Sequence, residues 1–332
     1  MPIGQSPKLR LLTRSDLADI ELEPAAVIDA VAGGYLALEN GNSECPTKLM
    51  IDLPIKSRDS IAFSMLGFDA DRDLVGYKTS YRHGNDNPDK YYTTITLYDD
   101  EQGMPYALMD CQKIGALRTP ATTALIAREC ARKDATTVTV FGTGIQAVNT
   151  LPYLLTALPN LSQVRLHGTH PGGLRACQDT CARWFPDQEV ELLDQNEQAI
   201  QQAIATSDIA VVASGRAWHP PISTKDLPEG GLVISVASKG IADGAVAEAD
   251  RVIATSEGQF NMVGERLIRD RNISLNATVP EILAGKKPGR VQQNERIFAF
   301  SSGMIITDIP VAQELAMRAF AAGRGTEVAL WN

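Results

Sequence analysis

The stretch Thr136-Thr137-Val138-Thr139-Val140-Phe141-Gly142-Thr143-Gly144-Ile145-Gln146-Ala147 decides the fold class. Val138, Val140 and Phe141 are β-branched or aromatic and are bounded by polar residues, which suits a buried parallel strand. The glycines then turn the chain. Gly142 permits a tight turn, Gly144 lets the backbone approach a pyrophosphate, and Ala147 is small enough for close helix-strand packing. From Ile145 to Leu155 the sequence predicts a helix whose first N–H groups face the phosphates. A further strand is predicted at 163–167. The G-x-G-x-x-A run, with Thr143, Ile145 and Gln146 filling its variable places, therefore stands between a strand and a helix, as a dinucleotide site requires. The alternative is an ordinary glycine turn in the same position.

Downstream, strands predicted at 209–213, 232–235 and 251–254 alternate with helices near 173–185 and 197–205, the pattern of a doubly wound sheet. Upstream the character differs. Ser15 is expected to cap a short turn, and Pro24 opens a helix over 25–39 that Gly41 ends. Strands follow at 48–53, 60–67, 74–81, 93–99 and 106–110, with a polar turn at 99–103, and their alternation predicts a mostly antiparallel sheet with one solvated face. Thr119-Pro120 is expected to begin a long alanine-rich helix, reaching Arg132, that links the two regions. A final amphipathic helix is predicted at 310–322, ended by Gly323 and with no strand after it, packing back on the first region. The expected fold is α/β: a Rossmann doubly wound parallel sheet at 121–307, plus a discontinuous α+β domain made of 1–120 and 308–332.

Composition narrows the function. With 332 residues, a hydrophobic share of 44% and a charged share of 21%, the chain has the makeup of an ordinary soluble protein of two domains. Net charge is -9, from 31 basic against 40 acidic residues. No Lys/Arg cluster would track phosphates, so nucleic acid is not an expected partner. Met1 to Arg14 lacks the apolar core of a secretory signal, and no apolar run is long enough to span a bilayer. A cytoplasmic protein is expected. The five cysteines, Cys45, Cys111, Cys130, Cys177 and Cys181, read as reduced thiols, and neither they nor the four histidines take metal-ligand spacing, so no metal is expected.

Three cationic residues invite a chemical reading. Lys78 lies within Leu74-Val75-Gly76-Tyr77-Lys78-Thr79, on the same face of its strand as Gly76. It is either a solvated-face lysine or a partly desolvated amine with a lowered pKa, close enough to a carbonyl or imine carbon to act as acid or base. Arg118, placed just before Thr119 at the predicted helix start, could grip a substrate carboxylate bidentately or simply be solvated. Lys48, on the first of the short strands, has the same two readings. At the end of the second Rossmann strand the sequence is Leu166-His167-Gly168-Thr169-His170, without the acid that an NAD-specific site uses for the ribose hydroxyls. Thr169 and His170, with Arg175, could accommodate a 2′-phosphate, so NADP is preferred over NAD.

These residues bring a resemblance into view. Val75-Gly76-Tyr77-Lys78, Leu117-Arg118-Thr119-Pro120-Ala121-Thr122-Thr123-Ala124, the glycine stretch, Gly285-Lys286-Lys287-Pro288-Gly289-Arg290, Phe300-Ser301-Ser302-Gly303 and Asp308 together resemble the ornithine cyclodeaminase/mu-crystallin family over almost the whole chain. The resemblance implies a homodimer whose N-terminal domain binds substrate and forms the subunit contact. It also implies a nicotinamide cofactor and hydride transfer at a carbon bonded to nitrogen in a small amino or imino acid. Lys78 takes the place of the family's catalytic lysine and Arg118 that of its carboxylate-binding arginine, while Lys48 stands where a second arginine is common. Thr119, Ser302 and Gly303 fall at cofactor positions. One position departs from the pattern: Gly240 replaces an aspartate that cyclodeaminases and alanine dehydrogenases carry, and Asp243 substitutes for it if the loop bends back. Loss of that acid disfavours multistep cyclodeamination and favours NAD(P)-dependent imine or ketimine reduction, or the reverse dehydrogenation. A cyclodeaminase of ornithine or lysine, and a non-catalytic NAD(P)H-dependent binding protein like the family's lens member, are the alternatives.

Overall fold

Residues 7–84, 90–215, 218–263 and 273–331 are described in a computed structural model. The first six residues of the stretch read as lacking a signal lie outside the described residues. The chain divides into two units, one of Met1–Glu23, Gly33–Arg118 and Met304–Asn332, the other of Pro24–Ala32 and Thr119–Gly303.

In chain order the elements of the N-terminal part are β1 (Leu9–Leu12), α1 (Arg14–Leu17), α2 (Pro24–Glu39), β2 (Leu49–Asp52), β3 (Ile61–Asp69), β4 (Leu74–Arg82), β5 (Tyr91–Asp99) and β6 (Met104–Asp110). Then come α3 (Gln112–Cys130), β7 (Thr137–Phe141), α4 (Ile145–Val148), α5 (Thr150–Ala157), β8 (Gln163–His167), α6 (Pro171–Trp184), β9 (Val190–Leu192), α7 (Glu197–Ala205), β10 (Ile209–Val212) and β11 (Leu232–Ser235). The rest are β12 (Arg251–Ala254), α8 (Glu257–Val263), β13 (Ala277–Thr278), α9 (Val279–Leu283), β14 (Ile297–Phe300), α10 (Ile305–Ala321) and β15 (Thr326–Val328).

In the second unit the strands line up in the order β13-β12-β14-β11-β10-β7-β8-β9, with every pairing parallel. β7, β10, β11 and β14 are buried along their whole length. Such strands need apolar side chains on both faces, which is why they read as continuous runs such as Ile209-Ala210-Val211-Val212. Phe141, Val212, Ile222, Val233, Phe260, Phe298 and Phe300 share one core. The order reverses at β7, so the carboxyl ends of β7, β8 and β10 frame the crevice where open α/β sheets take ligands.

The first unit is built on a sheet of order β15-β1-β6-β5-β4-β3-β2, antiparallel except where β1 runs with β6. α10 lies on one face of it. Gly67 and Gly76 are cross-strand partners, and a Cβ on either would come within 2.6 Å of Ile305 or 2.7 Å of Ile309. Gly34, in the part of α2 that belongs to this unit, meets α10 as closely: its Cβ would stand 2.3 Å from the Ile306 carbonyl oxygen. Pro310 has no N–H to offer that carbonyl one turn back, and the bare Gly34 leaves room for it.

Several boundaries differ from the sequence reading. Thr13, not Ser15, caps α1, through a capping box with Asp16. α3 starts at Gln112, whose N–H is accepted by Asp110 Oδ1 at 3.0 Å, so Pro120 lies inside the helix and Thr119 is no cap. Buried Ile114, Leu117, Ala121, Ala124 and Leu125 carry one apolar face through the proline. The helix expected over 145–155 breaks at Asn149, whose ψ of -1° separates α4 from α5. The last helix begins at Ile305 and is followed by β15, which pairs with β1. The strands not foreseen, β1, β9, β13, β14 and β15, span four residues at most and are too short to show a period.

Candidate active site

Along β4, Gly76, Lys78 and Ser80 turn to the buried face while Tyr77, Thr79 and Tyr81 turn outward. Lys78 is opposite Met65 on one side and Ile95 on the other. The solvated-face reading of Lys78 is therefore wrong: the residue is 4% exposed. Its partner comes from the other end of the chain. Asp308, in the first turn of α10 and fully buried, accepts from Lys78 Nζ at 2.8 Å and from Arg118 Nε at 3.1 Å on the same oxygen, Oδ1. Its second oxygen, Oδ2, is buried with no hydrogen-bond partner among the described residues.

Burial by itself would drive the Lys78 proton off, but the Asp308 carboxylate outweighs it and holds the ammonium above the ordinary lysine range. Burial opposes and Asp308 supports the charge on Arg118 in the same way, with the same upward result. The expected amine of lowered pKa is Lys48 instead. Burial, then repulsion from Arg118 and Lys78, pushes it down to about 8. Lys48 immediately precedes β2, and the register Leu49 to Ser64 continues it to the place opposite Met65, on the Lys78 face. Cys111 is buried beside this group and its thiol is pushed up to about 11, which leaves it unreactive near neutrality.

Two cationic side chains thus share one carboxylate in the first unit, with Lys48 close enough to be repelled by both, an arrangement that lacks negative charge and suits an anionic ligand. Asp308 was the residue that sequence reasoning left out of the site. Its signal is an acid within the apolar run Ile305-Ile306-Thr307-Asp308-Ile309. Met65 faces with Lys78, whereas Tyr81 and Tyr92 pair on the outward side.

The second unit holds the glycine turn. Gly142 has φ +130°, and a Cβ there would fall 2.7 Å from the Ala213 carbonyl carbon. Thr143 is wedged between Gly168 and Gly173, whose Cβ atoms would stand 2.3 Å from its methyl carbon and 2.5 Å from its carbonyl oxygen. Gly144 precedes α4 with open space where its Cβ would point, and no side chain caps that helix. Ile145 is exposed and Gln146 half-buried. Backbone bared in this way fits a dinucleotide pyrophosphate. Thr169 and His170 are exposed. His170 Nδ1 accepts from the Gly173 N–H at 3.0 Å and caps α6, which puts the neutral ring's proton on Nε2.

The remaining candidates are also in the second unit. Thr119 is buried, and its hydroxyl has no partner among the described residues. Ser302 donates its N–H to Thr255 Oγ1 at 3.0 Å and accepts from the same hydroxyl at its carbonyl, 2.8 Å away, with partly exposed Gly303 next to it. Gly240 has φ +91°, and a Cβ on it would lie 2.5 Å from the His219 ring. The room a side chain at 240 would use is filled by imidazole. Asp243 is exposed on the turn that follows.

The pattern of the ornithine cyclodeaminase/mu-crystallin family matches residues 11–321. The chain belongs to this family. Among its relatives is a Δ1-pyrroline-2-carboxylate reductase of Bacillus cereus, 24% identical over 316 residues, which cover 90% of this chain and 94% of the reductase. Among solved structures, the Δ1-pyrroline-2-carboxylate reductase of Thermococcus litoralis, in complex with NADH and L-proline, superposes with a TM-score of 0.81 at 23% identity, over 96% of this chain and 100% of that one. An archaeal alanine dehydrogenase dimer with bound NAD gives 0.80 at 20% identity, over 98% and 100%. Among the described residues no helix is long and apolar enough to cross a membrane.

Proposed function

We propose that this family member is an NAD(P)-dependent oxidoreductase acting on the C–N bond of an amino or imino acid, by reduction of an imine or ketimine or by the reverse dehydrogenation. The deciding observation is the Lys78-Asp308-Arg118 group with Lys48 beside it. Arg118 and Lys48 hold the substrate carboxylate, Arg118 as a fork and Lys48 as a point charge. Lys78, kept protonated by Asp308, donates a hydrogen bond toward the imine nitrogen and passes it a proton as hydride reaches the carbon, so that the amine product forms as the C=N bond is reduced. The nicotinamide, when bound, supplies hydride to the carbon or removes it. A preformed imine asks no further proton transfers of the protein, which agrees with glycine at position 240. Asp243 is kept as a candidate for moving protons at the amine.

The cofactor is assigned to Gly142, Thr143, Gly144, Ile145 and Gln146 for the pyrophosphate, and to Thr119, Ser302 and Gly303 near the nicotinamide. Exposed Thr169 and His170 after β8, with no acid among them, support NADP over NAD. The named reductases and the NADH and NAD reported for the similar structures support the general chemistry. The exposed face of the first unit's sheet supports a homodimer.

The test is cofactor absorbance with NADPH, and separately NADH, against cyclic ketimines and mixtures of 2-oxo acids with amines. Loss of absorbance with an imine, faster with NADPH, is the expected outcome. Ammonia release from ornithine or lysine without net cofactor change would mean cyclodeamination instead.

A further inference from the structure

Trp218 has no part in the chemistry above, yet its position is unusual. β10, β7 and β8 are neighbours in the sheet, so chain leaving Val212 must pass over the end of β7 to approach β8. Two observations trace that path. Ala213 and Ser214 press on Gly142, within 2.8 Å of where its Cβ would be. The Trp218 carbonyl then lies 3.2 Å from Nε2 of His167, the last residue of β8. That imidazole is itself packed on Phe141, centroid to centroid at 5.9 Å, and edge-on to His219 at 6.0 Å. Burial pushes both histidines below the ordinary range, so the rings beneath this crossing are neutral and apolar in character.

The Trp218 backbone is therefore tied down while its residue stays 64% exposed. The residues that follow His167 in the chain, Gly168, Thr169 and His170, offer a purine hydrogen-bonding groups and, apart from the His170 ring, no broad apolar face. We propose that the Trp218 indole is the stacking face for the adenine ring of the dinucleotide. The inference rests on the assignment of the second unit as an NAD(P) site. It follows from where open α/β sheets bind nucleotides, at the carboxyl ends flanking the point of reversal, and from the preference of a base for an aromatic plane.

The experiment measures binding of adenosine 2′,5′-bisphosphate, AMP and nicotinamide mononucleotide to the full chain as wild type, Trp218→Ala and Trp218→Phe. Trp218→Ala is expected to weaken both adenine compounds about tenfold, the low end of what one stacked base contributes. Trp218→Phe, which retains an aromatic plane, is expected to stay within about threefold of wild type, and neither variant is expected to change nicotinamide mononucleotide binding. Undiminished affinity of Trp218→Ala for the adenine compounds would overturn the inference and leave the dinucleotide assignment standing. A comparable loss in Trp218→Phe would also overturn it, because the effect would then belong to the loop and not to a ring. Wild-type protein that bound none of these compounds, nor NADPH, would overturn the dinucleotide assignment and the inference with it.

Discussion

Asp308 holds two buried cations on one oxygen, and its removal separates electrostatic support from mere packing. Asn at this position is nearly isosteric but neutral, so Asp308→Asn leaves Lys78 and Arg118 buried without a counter-charge. A loss of about 3–5 kcal/mol in folding free energy is expected, measured by urea unfolding, because a broken buried pair costs more than a pair that was never there. With the counter-charge gone, burial and Arg118 both act to lower the Lys78 pKa. Lys48 gives a prediction in pH. Its folded pKa of about 8 means that the positive charge is present below that value and is lost as pH rises through it. For an anionic substrate, kcat/KM should fall above pH 8, and Lys48→Arg, which stays charged, should carry the fall to higher pH. A profile with the same break in both proteins would remove Lys48 from substrate binding.

The packing of α10 on α2 and on the first unit's sheet is made by glycines rather than by large side chains. Gly34→Ala puts a methyl group 2.3 Å from a carbonyl oxygen that cannot rotate away, as a flexible side chain would. The variant should lose about 1–3 kcal/mol, read as a lowered melting temperature in calorimetry. Such helix-helix approaches are hard to read in a sequence, where Gly34 in Ala32-Gly33-Gly34-Tyr35 looks like a weak point of a helix. The parallel strands were legible because burial on two faces demands uninterrupted apolar runs, and Lys78 was correctly placed on the Gly76 face by alternation alone. What alternation could not say was whether that face is wet or dry. The answer depends on α10, whose Asp308 is 230 residues away in sequence. Pro120 misled for a related reason: proline is a good opening residue for a helix, but here Asp110 had already started one upstream, and packing on both sides carried it through.

The outward face of the first unit's sheet carries Leu66, Tyr77, Tyr81 and Tyr92, all exposed, with Thr79 and Thr94 between them bonded at 3.0 Å. An apolar and aromatic surface of this kind on an ordered sheet is what a partner covers. If that partner is a second copy, wild-type protein should sediment as two chains, and Leu66→Arg with Tyr92→Arg should sediment as one while keeping its far-UV spectrum. The same sheet joins the first and last strands among the described residues, β1 and β15, with Lys8 and Arg10 both reaching Glu327. That closure sets an order of assembly on the ribosome. Every segment of the second unit has been synthesised once Gly303 is made, whereas the first unit still awaits α10 and β15. The later-numbered unit can therefore complete its core first, reversing the usual N-terminal-first sequence of domain folding. Until Asp308 emerges, β4 presents a lysine with no carboxylate to meet it, so the charge group of the first unit cannot form before α10 is made.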